Sequence, residues 1–327
     1  RVGSGVGDGV DERVREPETA VVRLRDLAHY ERRRAAADGQ PADIEPCLHA
    51  AEYPALLVVA EVAVLPVGVV AIVGDQLRHR HVLRELERHP HVDVRGVVVE
   101  AKRAQPTEAD PRLDAVLTRH FDARREAEQA FFGELTGWAP TADLLPVPFG
   151  GSNDDAVAEW VLSRDPAALV LFGCSIIREQ LLERLPGRVV NLHLGLSPYY
   201  RGAATNFWPL VNGEPECVGA TVHLATLSVD AGPILRQARP AIEAGNGSHE
   251  IGCRAILAGA DALVSGLVDY AQGRIAPVPQ EPGGRVYRNA DFDAHAVEQM
   301  WERLEDGLVA RYLAEKPARD AQRPIVD

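Results

Sequence analysis

Short apolar runs alternate with amphipathic stretches from Gly68 to Gly273, and that alternation predicts an α/β chain with a mostly parallel sheet. Two observations support it. Val69–Val73 and Ala168–Phe172 are apolar at every position, as strands covered on both faces are. Each also runs directly into a glycine, Gly74 or Gly173, where a buried strand can turn.

In chain order, Val69–Val73 is the first strand. His81–His89 carries Val82, Leu83 and Leu86 at helical spacing. Val92–Val99 is a second strand, Leu113–Leu135 is mostly helical, and Leu144–Pro148 is a third strand. A helix over Asp154–Ser163 precedes the strand Ala168–Phe172, and a helix over Arg178–Leu185 precedes the strand Val189–Leu194. Gly219–Leu227 and a segment beginning at Ile234 read as two more strands, joined by a loop at Asp230–Pro233. Glu250–Gln272 places Ile251, Ile256, Leu263, Leu267 and Tyr270 on one helical stripe. Pro277, Pro279, Pro282, Gly283 and Gly284 mark a linker, and a helix over about Ala294–Leu313 follows.

This divides the chain into an N-terminal extension, residues 1–65, partly irregular and rich in Gly, Arg and Ala; a catalytic domain, residues 66–273; and a small C-terminal region, residues 274–327, of linker and tail. With 327 residues, 46% of them hydrophobic, the chain can bury one large core or two modest ones. The formal net charge of −13 argues against general nucleic-acid binding. Cys47, Cys174, Cys217 and Cys253 are scattered, with no metal-ligand spacing, so no metal site is expected and reduced thiols point to a cytoplasmic protein. No membrane span is expected: the most apolar stretch, Pro54–Val73, is broken by Glu61, Pro66 and Gly68.

The chemistry concentrates in Asn191-Leu192-His193-Leu194-Gly195-Leu196-Ser197-Pro198-Tyr199-Tyr200-Arg201-Gly202 and in the later Val229-Asp230-Ala231-Gly232. Side chains alternate along a strand, so Asn191 and His193 share one face and Val190, Leu192 and Leu194 take the other. Two polar groups on one face of an apolar strand need partners. A carboxylate on a glycine-containing loop, Asp230, can supply one. Asn, His and Asp together can hold a carbonyl oxygen and move a proton. His223 alternates with Val222 and reads as a structural strand residue, Asn206 as a turn or cap residue, and Arg78–His81 as a solvated face, with docking of an anionic acceptor after the first strand as its second reading. Phe207 and Trp208 read as core.

These residues resemble the folate-dependent formyltransferases, whose pattern is N-x-H-x-S-x-L-P-x-x-x-G followed by a D-x-G loop. Asn191, His193, Pro198 and Gly202 fall in register, and Thr221-Val222-His223 leading to Asp230 and Gly232 resembles the strand and loop that carry the family's aspartate. The likeness is good over about Ala168–Gly273. Gly195 stands where the family has Ser, and Ser197 where it has Leu. The resemblance implies a Rossmann-like formyltransferase fold and transfer of a formyl group from 10-formyltetrahydrofolate to the amine of a small-molecule acceptor. Asn191, His193 and Asp230 would be catalytic. Phe172, Gly173, Ile176, Ile177, Leu227 and Val229 would bind the folate, and Tyr199, Tyr200 and Arg201 the acceptor. The glycine-rich phosphate loop of the glycinamide ribonucleotide branch is absent after the first strand, where Gly74–His79 stands instead, and the tail is short for the barrel of the tRNA-directed branch. A homodimer is among the expected states. A deformylase acting on the same donor and a non-catalytic folate-binding protein are the competing readings.

Overall fold

The computed structural model describes residues 65–134, 137–138 and 142–327. The N-terminal extension, all but its last residue, lies outside the described residues. Pro66–Asp327 is one unit. It opens with β1 (Val67–Gly74), α1 (Leu77–Arg88), β2 (Val92–Glu100), α2 (Pro111–Phe132), β3 (Asp143–Val147), α3 (Asp155–Leu162), β4 (Ala168–Phe172), α4 (Glu179–Arg184) and β5 (Val189–His193). β6 (Tyr200–Gly202), α5 (Trp208–Asn212), β7 (Ala220–Leu224), β8 (Ile234–Ala238) and α6 (Ser248–Ala271) follow. β9 (Arg285–Tyr287), α7 (Ala294–Glu305) and α8 (Leu308–Ala321) close the chain.

The seven-stranded sheet runs β3-β2-β1-β4-β5-β7-β8. Its first five strands are parallel, and β7 and β8 are added antiparallel at one side. The expected mostly parallel α/β sheet is therefore present. β1 shows why its sequence reads as continuous apolar: Val67, Val69, Ala71 and Val73 enter one core, and Val70 and Ile72 enter the core on the opposite face.

Sequence and structure diverge in three places. The segment read as a linker contains β9, which pairs in parallel with β6 through Tyr200↔Arg285 and Gly202↔Tyr287. The single tail helix is two, α7 and α8, because Gly307 between them sits at φ 79° in the left-handed region. Both pack on Tyr200, Trp208, Leu210 and Ile251 in a separate core. Finally, α6 is long and apolar enough to cross a membrane by length and composition, a stretch the reading of apolar runs passed over. In its most apolar window 67% is buried inside the protein, and its Ile256, Ala260, Leu263 and Leu267 lie in the core with Leu192, Ala220 and Val222 of the sheet, so it is a core helix.

Candidate active site

The site forms at the carboxyl end of β5, where open α/β sheets bind ligands. Asn191 and His193 sit one alternation apart on this strand. Across the ladder, Asn191 is the direct partner of His223 on β7. Cross-strand partners share a face, so strand pairing brings His223 beside Asn191. The nine residues between β7 and β8 then fold back over that face. Leu224 N–H donates to Pro233 O at 2.9 Å and closes the loop. Gly232 has no room for a side chain, because a Cβ there would lie 1.8 Å from Leu224 O. Asp230 adopts the left-handed region, at φ 49°, which Asp tolerates better than most residues.

Asp230 is the hub. Its Oδ2 lies 3.3 Å from His193 Nδ1 and accepts from the Gly202 N–H at 2.9 Å. Its Oδ1 accepts from Asn191 Nδ2 at 3.4 Å and lies 3.5 Å from His223 Nε2. Three side chains that sequence reasoning grouped are thus together, with His223 as a fourth. The structural role that the sequence predicts for His223 is joined by a place at the site. Its signal in the sequence was its place seven residues before Asp230, and that signal is meaningless without the β5–β7 register.

Hydrogen-bond partners constrain the protons. His223 Nδ1 faces Leu224 O at 2.9 Å. A carbonyl only accepts, so Nδ1 carries the hydrogen, and in the neutral ring Nε2 accepts from Asn191 Nδ2 at 3.0 Å. His193 Nε2 faces Tyr200 O at 3.1 Å. Burial pushes the His193 imidazole below its ordinary pKa, and the Asp230 carboxylate opposes that without cancelling it. Burial also pushes Asp230 up. His193, His223 and the Gly202 N–H outweigh that and hold it at about 2. A carboxylate with two imidazoles behind it can accept a proton from an entering group and pass it inward.

The loop is clamped from outside. Gln280 Nε2 donates to Asp230 O at 2.9 Å and to Gly232 O at 2.7 Å. Ser197 Oγ donates to Asp230 O at 3.3 Å. On the other side Gln237 Nε2 donates to Ser197 O at 2.6 Å. Neither glutamine stood out in the sequence.

The remaining sequence candidates separate by exposure. Ile176, Leu227 and Val229 are large apolar side chains left 67%, 63% and 44% exposed, as a flat aromatic ligand would use them. The side chains of Phe172 and Ile177 are buried in the cores flanking the sheet, and Gly173 O already accepts from Lys102 Nζ. What these three can offer a ligand is backbone, the form in which the resemblance implies their contact. They hold the loop that presents Ile176, helped by buried Glu100, which accepts from Ser175 N and Oγ, both at 2.9 Å. Tyr200 is a correction. It is 1% exposed, and its hydroxyl is taken up by Glu214, Asn212 and Arg285, because a strand beginning at residue 200 points this ring into the C-terminal core. Tyr199 donates to Pro324 O at 2.8 Å, and Arg201 donates to Gly283 O at 2.8 Å. Asn206 Oδ1 accepts from Gly219 N at 2.9 Å, the turn role expected of it.

A family model described as Formyl transferase matches residues 68–267, more than half of the chain. The chain belongs to the formyl transferase family.

Curated members similar to it include the methionyl-tRNA formyltransferase of Synechococcus sp. (strain JA-3-3Ab), 34% identical over 126 residues, 38% of this chain and 38% of that protein. The methionyl-tRNA formyltransferase of Thermodesulfovibrio yellowstonii is 32% identical over 130 residues, 39% of this chain and 42% of that one. The chain thus spans well under half the length of these formyltransferases. Among solved structures, phosphoribosylglycinamide formyltransferase from Anaplasma phagocytophilum aligns over 68% of this chain and 99% of its own, with TM-score 0.48 and 16% identity. A sugar N-formyltransferase from Shewanella sp FDAARGOS_354 aligns over 68% of this chain and 78% of its own, with TM-score 0.46 and 19% identity.

Proposed function

We propose that this formyltransferase moves a formyl group from 10-formyltetrahydrofolate to the amino group of a small-molecule acceptor, with Asn191, His193 and Asp230 at the reacting atoms. The observation that carries the reading is the convergence of one ionised carboxylate, one amide and two imidazoles at a strand end. In such a transfer the amine nitrogen bonds to the formyl carbon, charge develops on the formyl oxygen, the amine loses a proton, and the bond to the folate nitrogen breaks as that nitrogen takes up a proton to leave as tetrahydrofolate. Asn191 Nδ2 can turn from its long 3.4 Å contact with Asp230 toward that oxygen. One such donor contributes about 2.7–4 kcal/mol to a barrier. Asp230, kept ionised, takes the amine's proton directly or through water, and His193 Nδ1 is next to receive it. The exposed Ile176, Leu227 and Val229 would cover the apolar ring of the donor. Arg201 and Tyr199, rather than the buried Tyr200, would face the acceptor.

The test is incubation with 10-formyltetrahydrofolate and a panel of amines that includes nucleotide-linked amino sugars, amino acids and methionyl-tRNA, following release of tetrahydrofolate. Release that requires a small amine supports the proposal. Release only with methionyl-tRNA replaces the acceptor, release without any amine replaces transfer by hydrolysis, and no release with any partner ends it.

A further inference from the structure

Gly195 is a glycine for want of space. A Cβ built there would lie 2.6 Å from Thr205 Cβ, 2.7 Å from Thr205 Oγ1 and 2.6 Å from His193 Nε2. Residue 195 is also absent from the positive-φ positions of the backbone, so the restriction comes from its neighbours. The neighbour that fills the volume is Thr205, only 3% exposed.

Thr205 Oγ1 lies 2.6 Å from Leu194 O. A carbonyl cannot donate, so the hydroxyl hydrogen points there and a lone pair is left for His193 Nε2, 3.2 Å away. Tyr200 O is a second acceptor at the same nitrogen, at 3.1 Å. Nε2 therefore carries a hydrogen, and the unprotonated nitrogen of the neutral ring is Nδ1, facing Asp230 Oδ2 at 3.3 Å. Lone pairs meet there until a proton enters. Once it does, all of the ring's neighbours are satisfied: an N–H toward Asp230 and an N–H shared by Tyr200 O and Thr205. The other charged and titratable groups acting on the ring are His223 on β7 and Arg201 on β6.

We propose that Thr205 is a positioning residue for His193, holding Nε2–H as a donor so that Nδ1 takes the proton at Asp230, and that residue 195 is glycine to admit it. The proposal rests on the reading of His193 above. The hydroxyl that the resembled pattern places at position 195 is supplied here from position 205, and the packing allows one or the other.

The test compares Thr205→Val, Thr205→Ser, Gly195→Ser and the swap Gly195→Ser with Thr205→Ala. The readouts are the pH titration and ring-nitrogen shifts of His193 in ¹⁵N-histidine-labelled protein, the pH profile of kcat, and thermal midpoints to confirm folding. Thr205→Val should move the His193 titration to lower pH and cut kcat about tenfold, the loss of one bond to a ring that becomes charged, with KM for the donor unchanged. Thr205→Ser should keep both native values. Gly195→Ser should be impaired, and the swap should recover at least about tenfold over it. An unchanged titration in folded Thr205→Val, or a Gly195→Ser protein as active as the native one with Thr205 in place, overturns the proposal. If no variant and not the native chain transfers a formyl group, the functional reading fails while the titration still decides the role of Thr205.

Discussion

Asp230 Oδ2 lies 3.3 Å from His193 Nδ1 across the face of β5, although His193 ends that strand and Asp230 comes from the loop between β7 and β8. The carboxylate is held at about 2 and the imidazole below its ordinary value, so at neutral pH the first is ionised and the second uncharged. Asp230→Asn keeps the size of the side chain and removes the charge. Formyl transfer should fall by about a hundredfold or more with the thermal midpoint little changed, read from the rate of tetrahydrofolate release. A rate within threefold of native would remove Asp230 from the proton path.

His223 should matter for the site as well as for packing. His223→Phe leaves one Asn191 amide hydrogen without its 3.0 Å acceptor. A buried donor left unpaired costs about 1–3 kcal/mol. Chemical denaturation should show that loss, and kcat should drop about tenfold with it as Asn191 loses its orientation. His223→Gln, which keeps an acceptor, should recover part of both.

Gln280 tests whether the segment between α6 and β9 serves the reaction. Gln280→Leu removes the donors to Asp230 O and Gly232 O. The expected outcome is a several-fold lower kcat and about 1–2 kcal/mol less stability, measured by steady-state kinetics and urea unfolding. Equal kinetics in a folded Gln280→Leu protein would make the clamp irrelevant to Asp230.

Gly232→Ala is a steric test of the same loop. Its Cβ would meet Leu224 O at 1.8 Å, an unyielding backbone atom. The hairpin must open to admit it, so the variant should lose more than about 3 kcal/mol or fail to accumulate as folded protein. A thermal midpoint equal to the native one would contradict the loop geometry.

Acid should destabilise the packing of α2 against α6. His120 and His249 lie with ring centroids 4.5 Å apart, and burial lowers their pKa values to about 3 and about 4, with Arg124 adding to both. An unfolded histidine titrates near 6.5. Below about pH 6.5 the unfolded chain therefore takes up protons that the native pair refuses, so this contribution to stability is complete above pH 6.5 and is lost as pH falls toward 3. Each unit costs up to about 1.4 kcal/mol per imidazole. Thermal midpoints of His120→Phe, whose ring would join Phe121, Phe207 and Phe292, should fall less steeply over that range than those of the native protein.

Much of the architecture was legible in residue order because it depends on local periodicity. β4 occupies the residues its apolar run marks, and α6 differs by two residues at its start and one at its end from its helical stripe. Strands β6 and β9 were not legible: each has three residues, too few to establish a period, and they are strands only because they pair with each other. In the site, Asn191 and His193 were recognisable as two polar groups on one face of an apolar strand. Tyr200 was misjudged for the opposite reason, since a tyrosine beside a reactive segment looks the same whether its ring turns toward solvent or into a core.

By itself, the order of residues determined the parallel α/β core and the strand that carries Asn191 and His193, because strand alternation is a property of a short stretch of chain; Asp230 joined that pair only through the resemblance to a known pattern. Tertiary structure alone decided that His223 stands opposite Asn191, that Gln280 and Gln237 clamp the loops carrying Asp230 and Ser197, and that Thr205 occupies the space beside Gly195. Those relations depend on strand register and on distances between segments up to 50 residues apart, and neither quantity is encoded in any local window of the sequence.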